Sequence, residues 1–325
     1  NCSVEIAKKI KIYHGLINAS LKKISKDKER LKKINIKFED LPLWFRNRTK
    51  LLDINQKRLF INNFNKEPSI HLVFKDKDKL KNFEEELIRT SEISGFLVNK
   101  KNITNIKSFY KGNWWVQDFA SFFPLQNLEL IQNNKQILDA CAAPGGKSFQ
   151  LLSKHQSIVL NDKSSNRIEI LKKNLNRLNF NSKIINKDFI KLNENDKYDL
   201  IIIDAPCSAI GTIRKNPEIF FKSNGPNFKK LCVLQRNMLN KASRLLNING
   251  LILYMVCSFL KNETEDQISN FLKKQNNFKL HKFDLINQNI RYSRLVNNNI
   301  MLTLPDTILK NSIDGYFAAY LKKIK

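Results

Sequence analysis

Two cysteines sit in short motifs whose residue types could do chemistry, Asp204-Ala205-Pro206-Cys207-Ser208 and Val256-Cys257-Ser258. Each motif follows an apolar run, Tyr198–Ile203 in one case and Leu251–Val256 in the other. A cysteine inside an apolar strand is ordinarily a small core residue. At the end of a strand it can meet a ligand, and its thiolate is then a nucleophile. A nearby cation lowers a thiol pKa from its reference of ~8.5, and Lys147 is the candidate cation. The spacing leaves open which of the two thiols attacks. Three acids, Asp162, Asp188 and Asp204, each close a predicted strand. A lone Asp there is often a helix cap. Three together suit a ligand carrying hydroxyls and amines, and an acid after the second strand is the usual acceptor for ribose hydroxyls in dinucleotide folds.

The element that must position these groups is the stretch Ile137–Ser148, an apolar strand, a turn with Pro144, Gly145 and Gly146, and the start of a helix. Glycines permit positive φ and close backbone approach. The following helix offers free N–H groups at its N-terminus. The turn is neither G-x-G-x-x-G nor G-x-x-x-x-G-K-[ST], so neither a dinucleotide nor a P-loop nucleotide is indicated. In an open α/β sheet it lies where ligands bind, at the carboxyl end of a strand.

The net charge is +27, from 57 Lys and Arg against 30 Asp and Glu. Such a balance favours a polyanionic partner, nucleic acid first. Arg214 and Lys215, in the Gly/Pro/Asn-rich loop after Cys207, are candidates for RNA phosphates. No apolar run approaches the ~18 residues of a membrane span, and no signal peptide is visible, so a cytoplasmic protein is expected. The five cysteines are widely spaced, without C-x-x-C. Reduced thiols and no metal site are therefore expected. His14, His71, His155 and His281 are isolated, which argues against histidine catalysis. Nothing calls for an oligomer, and a monomer is expected.

Residues 1–37 read as basic helices, with Ile6, Ile10, Tyr13, Ile17, Leu21 and Ile24 at three- and four-residue steps. Residues 38–110 read as a small α/β unit: a helix after Pro42, a helix over 55–64, a strand over 70–74, a helix over 77–90 and an extended segment over 95–98. A border is expected near 105–112. From 111 to 325 strands and helices alternate. Strands are expected at 136–141, 157–161, 183–187, 198–203 and 251–256, then at 278–283, 301–304 and 315–322. Helices are expected from 118 to Leu130 and at 146–154, 164–178, 227–247 and 262–275. Near-continuous apolar strands alternating with helices predict a parallel sheet covered on both faces.

Asp139-Ala140-Cys141-Ala142-Ala143-Pro144-Gly145-Gly146-Lys147, Asp204–Ser208 and Cys257-Ser258, in this order, resemble the Fmu/Sun family of RNA (cytosine-C5) methyltransferases. The resemblance covers roughly residues 110–325. Gly211–Glu218 looks most like the branch that modifies a cytosine of 16S rRNA, and Trp115–Asp118 and Asp314–Phe317 also fit. The resemblance implies an α/β, Rossmann-like S-adenosylmethionine-dependent sheet over 111–325. It also implies an N-terminal RNA-binding region: the incomplete tail of a NusB-like helical domain at 1–37, and a small linker domain at 38–110. Cys141, Ala142, Ala143, Pro144, Gly145, Gly146 and Lys147 would cradle the methionine end of the cofactor. Asp162 would accept from the ribose hydroxyls, Asp188 would lie by the adenine, and Asp204 near the methionine amine and the target base. Cys257 would be the nucleophile that attacks cytosine C6, and Cys207 would assist product release. Val256 stands where the family usually has Thr, and Ile210-Gly211 where it usually has Thr-Gly; neither change removes a reacting group. The implied partner is 16S rRNA or a small-subunit assembly intermediate. The same chemistry on tRNA or another rRNA site, or a non-catalytic RNA-binding assembly factor, are the alternatives.

Overall fold

Side chains alternate across a strand, so runs such as Leu200–Ile203 and Leu251–Val256 put apolar residues on both faces of a sheet and require cover on each. The computed structural model describes residues 2–126, 136–154, 158–283, 292 and 295–325. Fifteen strands are present among them: β1 His71–Phe74, β2 Leu87–Ser91, β3 Ser94–Leu97, β4 Trp114–Val116, β5 Ile137–Asp139, β6 Ile158–Asn161, β7 Lys183–Ile185, β8 Tyr198–Asp204, β9 Leu246–Val256, β10 Phe278–His281, β11 Val296–Asn297, β12 Ile300–Thr303, β13 Asp306–Ile308, β14 Asn311–Ile313 and β15 Tyr316–Lys323.

The large sheet has the order β11-β12-β15-β9-β8-β5-β6-β7, and β10 also pairs with β15. From β7 across to β9 every pairing is parallel. The chain runs from β5 outward to β6 and β7, then returns to β8 and β9 on the other side of β5. The switch point therefore falls between β5 and β8, where an open α/β sheet binds its ligands. Beyond β9 the expectation of a parallel sheet fails, because β15, β12, β11 and β10 all pair antiparallel. Between β11 and β12 the chain turns tightly instead of crossing over through a helix. Asn298 and Asn299, both at positive φ, join β11 to β12, as a two-residue hairpin requires.

One face of the sheet presents Ile137, Leu200, Ile202, Leu251, Leu253 and Met255. The helix Ser165–Leu178 covers it with Leu171, Leu175 and Leu178, and the helix Gly146–Leu152 adds Phe149 and Leu151. The other face presents Leu138, Ile201, Ile203, Ile252, Tyr254 and Val256. Met238, Leu239, Ala242 and Leu245 of the helix Phe228–Leu245 cover that side, with Ile268 and Phe271 of the helix Glu265–Lys274. The expected helix from 118 begins as Phe119–Phe122 and tightens into a 3-10 turn to Gln126. Its continuation to Leu130 lies outside the described residues.

The small antiparallel sheet has the order β2-β3-β1-β4. It corrects two expectations. The helix expected over 77–90 stops at Lys81, and Leu87–Ser91 pairs with β3 instead; tertiary pairing overrides the helix preference of Glu and Leu. The expected border at 110 is not one either, because Trp114–Val116 completes the small sheet against β1. Val73, Phe96 and Trp115 pack with the core of the large sheet. Leu72, Phe74, Leu97 and Trp114 pack in a separate core on the other face. Residues Pro42–Lys325 accordingly form one compact unit, and Asn1–Leu41 form another. The first unit carries the helices Cys2–Lys9, His14–Lys26 and Lys28–Lys32. Of their periodic apolar residues, Ile6, Ile10, Tyr13, Leu21 and Ile24 are exposed.

His71 on β1 is buried, with Nδ1 2.7 Å from the Gln117 carbonyl oxygen and Nε2 2.8 Å from Thr90 Oγ1. Burial holds its pKa down at about 4. The unfolded chain therefore takes up a proton that the fold refuses. The stability is complete above the unfolded pKa of ~6.5 and is lost as the pH falls towards 4. In urea unfolding, a His71→Asn variant should lose about 2 kcal/mol less than the natural protein between pH 7 and pH 5.

Candidate active site

The parallel register of β8 with β9 sets Ile203 opposite Tyr254 and Asp204 opposite Met255, so both strands end at the same edge. The Ala205 N–H donates to the Met255 carbonyl at 2.9 Å and extends the ladder by one step. Cys207 and Cys257 follow, and their Sγ atoms lie 3.3 Å apart, both partly buried. The hydrogen bond shared with Cys257, and then burial, push the Cys207 thiol well above its usual pKa. Gly211 closes the loop back over this point. Its N–H donates to the Cys257 carbonyl at 3.0 Å, and its own carbonyl accepts from the Gly315 N–H at 2.9 Å. A Cβ on Gly211 would lie 1.8 Å from the Gly315 oxygen, so no larger residue fits the crossing.

Lys147 reaches the same edge from the first turn of the helix Gly146–Leu152. Its Nζ donates to Asp204 Oδ2 at 2.7 Å, and the Tyr316 hydroxyl donates to Asp204 Oδ1 at 2.9 Å. The ammonium lies 5.5 Å from the centre of the Tyr316 ring. Burial works against the Lys147 charge, but the Asp204 carboxylate overrides it and leaves the pKa raised; Cys257 adds in the same direction. Burial, and then Asp204, raise Tyr316 well above its usual value, so it is a neutral donor.

The turn between β5 and the helix is held from beneath. Gly145 has φ 123, and a Cβ there would lie 2.0 Å from the ring of Phe149. Asp162, at the end of β6, accepts from the Ala143 N–H at 3.2 Å and from the Ser164 N–H at 2.9 Å. Arg167 donates to the Ala143 carbonyl and stands 3.7 Å from Asp162 Oδ2. Asp139 Oδ2 accepts from Ser148 at 2.8 Å, and burial pushes this carboxyl up to about 6. Asp188 Oδ1 caps the 3-10 turn after β7, accepting from the Ile190 N–H at 3.1 Å. Burial, and then the surrounding Asp204, Asp139 and Asp162 charges, push the Cys141 thiol up.

The structure thus brings together the 141–147 turn, Asp162, Asp188, Asp204, Cys207 and Cys257 along the carboxyl ends of β5 to β9. This donor set fits a cofactor with a ribose, an amine and an amino-acid end. Acceptors flank one side of a glycine turn and a Lys–Asp pair flanks the other. Each Asp162 oxygen holds one N–H and keeps a second lone pair.

Arg214 does not fit its expected place. Its side chain is fully buried, and Nη2 donates to Asp314 Oδ1 at 2.8 Å, so it cannot face RNA phosphates. The cause is the return of β15, whose preceding turn lays Asp314 against the loop. Lys215 stays 35% exposed, but its ammonium is already ion-paired, with Nζ 2.7 Å from Asp118 and 2.6 Å from Asp314. Burial opposes the Asp118 charge, but Lys215 holds that carboxyl low, at about 2. Three participants escaped sequence reasoning: Tyr316, Arg167 and the Asp118–Asp314 pair. Asp314–Phe317 was legible as a motif, but only the register of β15 on β9 shows that Tyr316 meets Asp204.

A family profile described as 16S rRNA methyltransferase RsmB/F matches residues 126–322, more than half of the chain. The chain belongs to this family. It is 38% identical over 189 residues to ribosomal RNA small subunit methyltransferase B of Shewanella oneidensis, a match covering 57% of this chain and 44% of that protein. To the protein of the same name in Pasteurella multocida it is 28% identical over 340 residues, covering 98% of this chain and 73% of that one. The chain thus spans less than half of the first of these relatives and about three quarters of the second. NSun6 from Pyrococcus horikoshii, crystallised with SFG, shares the fold with a TM-score of 0.74 and 18% identity, over 87% of this chain and 98% of that chain. The fold is that of a Rossmann-like methyltransferase.

The burial of Arg214 yields a direct test. Arg214→Ala removes one of the two cations on buried Asp314, leaving Lys215 on the other oxygen at 2.6 Å, and should lower the unfolding free energy by about 1–3 kcal/mol. The salt dependence of RNA binding by the folded variant should stay as in the natural protein, whereas a lost phosphate contact would reduce the slope by about 1. Chemical unfolding and filter binding at several salt concentrations read the two effects.

Proposed function

We propose that the chain methylates C5 of a cytosine in 16S rRNA, using S-adenosylmethionine. The observation that carries this reading is the pair of sulfurs 3.3 Å apart beside the Lys147–Asp204 ion pair. Cytosine C5 is too weak a nucleophile to take a methyl group unaided. The Cys257 thiolate adds to C6 and makes C5 enamine-like, and covalent addition splits one hard step into easier ones. The bound cofactor would supply an electrophilic methyl group on a sulfonium sulfur. Release of the methylated base then requires loss of the C5 proton, whose electron pair re-forms the ring double bond, and cleavage of the C6–S bond, whose pair leaves with the Cys257 sulfur. Cys207 assists that release, since its S–H can hydrogen-bond the departing sulfur.

The ion pair divides its tasks. Asp204, engaged by Lys147 and Tyr316, is an acceptor for the methionine amine. Lys147 is the N–H donor of the pair and stabilises negative charge as it develops on the base. The 141–147 turn receives the methionine end of the cofactor, Asp162 its ribose hydroxyls and Asp188 its adenine. The target base must leave its stack, which costs a few kcal/mol, and RNA loops present bases already splayed. The basic helices of residues 1–37 and the 38–110 region are phosphate-facing surfaces in this reading. The enzyme acts as a monomer in the cytoplasm, on 16S rRNA or an assembly intermediate.

Incubated with cofactor and small-subunit rRNA, Cys207→Ala should accumulate a covalent protein–RNA adduct that survives denaturing electrophoresis, and Cys257→Ala should form none. An adduct with Cys257→Ala would defeat the assignment. Bisulfite mapping of RNA from a strain lacking the gene should show one 16S cytosine unmethylated, with tRNA unchanged. Loss of a tRNA mark instead would redirect the substrate.

A further inference from the structure

Cys207 and Cys257 both lie beyond the last residues of β8 and β9, so the strand ladder alone does not fix the distance between their sulfurs. The residue after each is a serine, and both serines turn inward to one carboxylate. Glu263 is fully buried. Its Oε1 accepts from the Ser208 N–H at 2.9 Å and from Gln235 Nε2 at 3.1 Å. Its Oε2 accepts from the Ser208 hydroxyl at 2.5 Å and from the Ser258 hydroxyl at 2.7 Å. The two hydroxyls are 3.3 Å apart. Gln235 also donates to the Pro206 carbonyl at 3.0 Å, and the Tyr254 hydroxyl donates to the Glu263 carbonyl at 2.8 Å. Among the described residues no basic side chain forms an ion pair with Glu263. Burying a carboxylate without a cation is costly unless donors surround it, and here the donors come from both cysteine-bearing segments.

We propose that Glu263 is a positioning residue for the thiol pair: one carboxylate ties the segment after Cys207 to the segment after Cys257 and so sets the spacing of the sulfurs. Its charge also contributes to holding the Cys207 thiol in its neutral form. The catalytic consequence rests on the function proposed above; the spacing itself does not.

Two substitutions separate reach from charge. Glu263→Gln keeps the length: its amide oxygen can serve the Ser208 N–H and Gln235, and its amide N–H groups can donate to the two hydroxyls, which accept as readily as they donate. Glu263→Asp keeps the charge, but its carboxylate is one methylene too short to hold both segments. Phenylarsine oxide reads the spacing without RNA, because one arsenic joins two neighbouring thiols with release of one water. Cys207→Ala marks the background from lone thiols. Glu263→Gln should bind the arsenical, and turn over rRNA, within about threefold of the natural protein. Glu263→Asp should bind the arsenical at least about tenfold more weakly, and its kcat should fall at least as far with KM for RNA unchanged, since a 1 Å misplacement can cost 10²-fold. Arsenical binding by Glu263→Asp equal to the natural protein, or better than by Glu263→Gln, would overturn the proposal. If Glu263→Asp does not fold, Ser258→Ala replaces it: weaker arsenical binding is expected, and unchanged binding overturns the tie. Should the natural protein bind the arsenical tightly yet methylate no RNA, the proposed function fails while the positioning role stands.

Discussion

The parallel pairing of β8 with β9 is the constraint on which the site depends. Both strands are apolar on both faces, so neither can slide without carrying half its side chains into the wrong layer; a one-residue slip reverses every side chain. The same pairing leaves Asp204, Cys207 and Cys257 at one edge. β9 has a second neighbour, β15, which pairs Phe317 with Val256 and delivers Tyr316 to Asp204. One central strand therefore aligns a thiol with a carboxylate on one side and a phenol on the other. None of these groups is close to the others in the chain.

Charge in this partly dry edge is handled by matching. Lys147 and Asp204 are held together, with Tyr316 on the remaining oxygen. Arg214, Lys215, Asp118 and Asp314 form a second matched set behind the loop. Buried ion pairs add little net stability, because desolvation offsets the attraction. What they contribute here is direction: each basic side chain is aimed at a particular carboxylate oxygen. The loop after Cys207 is fixed twice, by its ion pairs to the turn before β15 and by the Gly211–Gly315 crossing, where the backbones pass too closely for any Cβ.

Much of this was legible in the chain itself. The apolar runs ending in Asp162 and Asp204, and the glycine turn after Asp139, follow from local patterning, because strands buried on both faces have no alternation to hide. The two Pro-Cys and Cys-Ser motifs marked the site. What local patterning could not show was set by distant partners. The β2 segment looks helical because the run Glu84–Leu87 that leads into it favours a helix, and only β3 beside it makes it a strand. Arg214 looked like a phosphate ligand because nothing near it in the chain predicts Asp314. The antiparallel half of the sheet was hidden because a strand's apolar content does not reveal its direction.

Trp114 and Trp115 are successive residues of β4, and they are anchored in different cores. The small sheet is thus clamped to the large one by adjacent indole rings, not by a flexible joint. Neither core can open without pulling an aromatic ring from the other, so the two layers melt as a single cooperative event. A cut made just before this strand would not release a self-sufficient catalytic half. It would strip β1 of its neighbour and leave a tryptophan and an unpaired strand edge facing water, the kind of surface through which proteins aggregate.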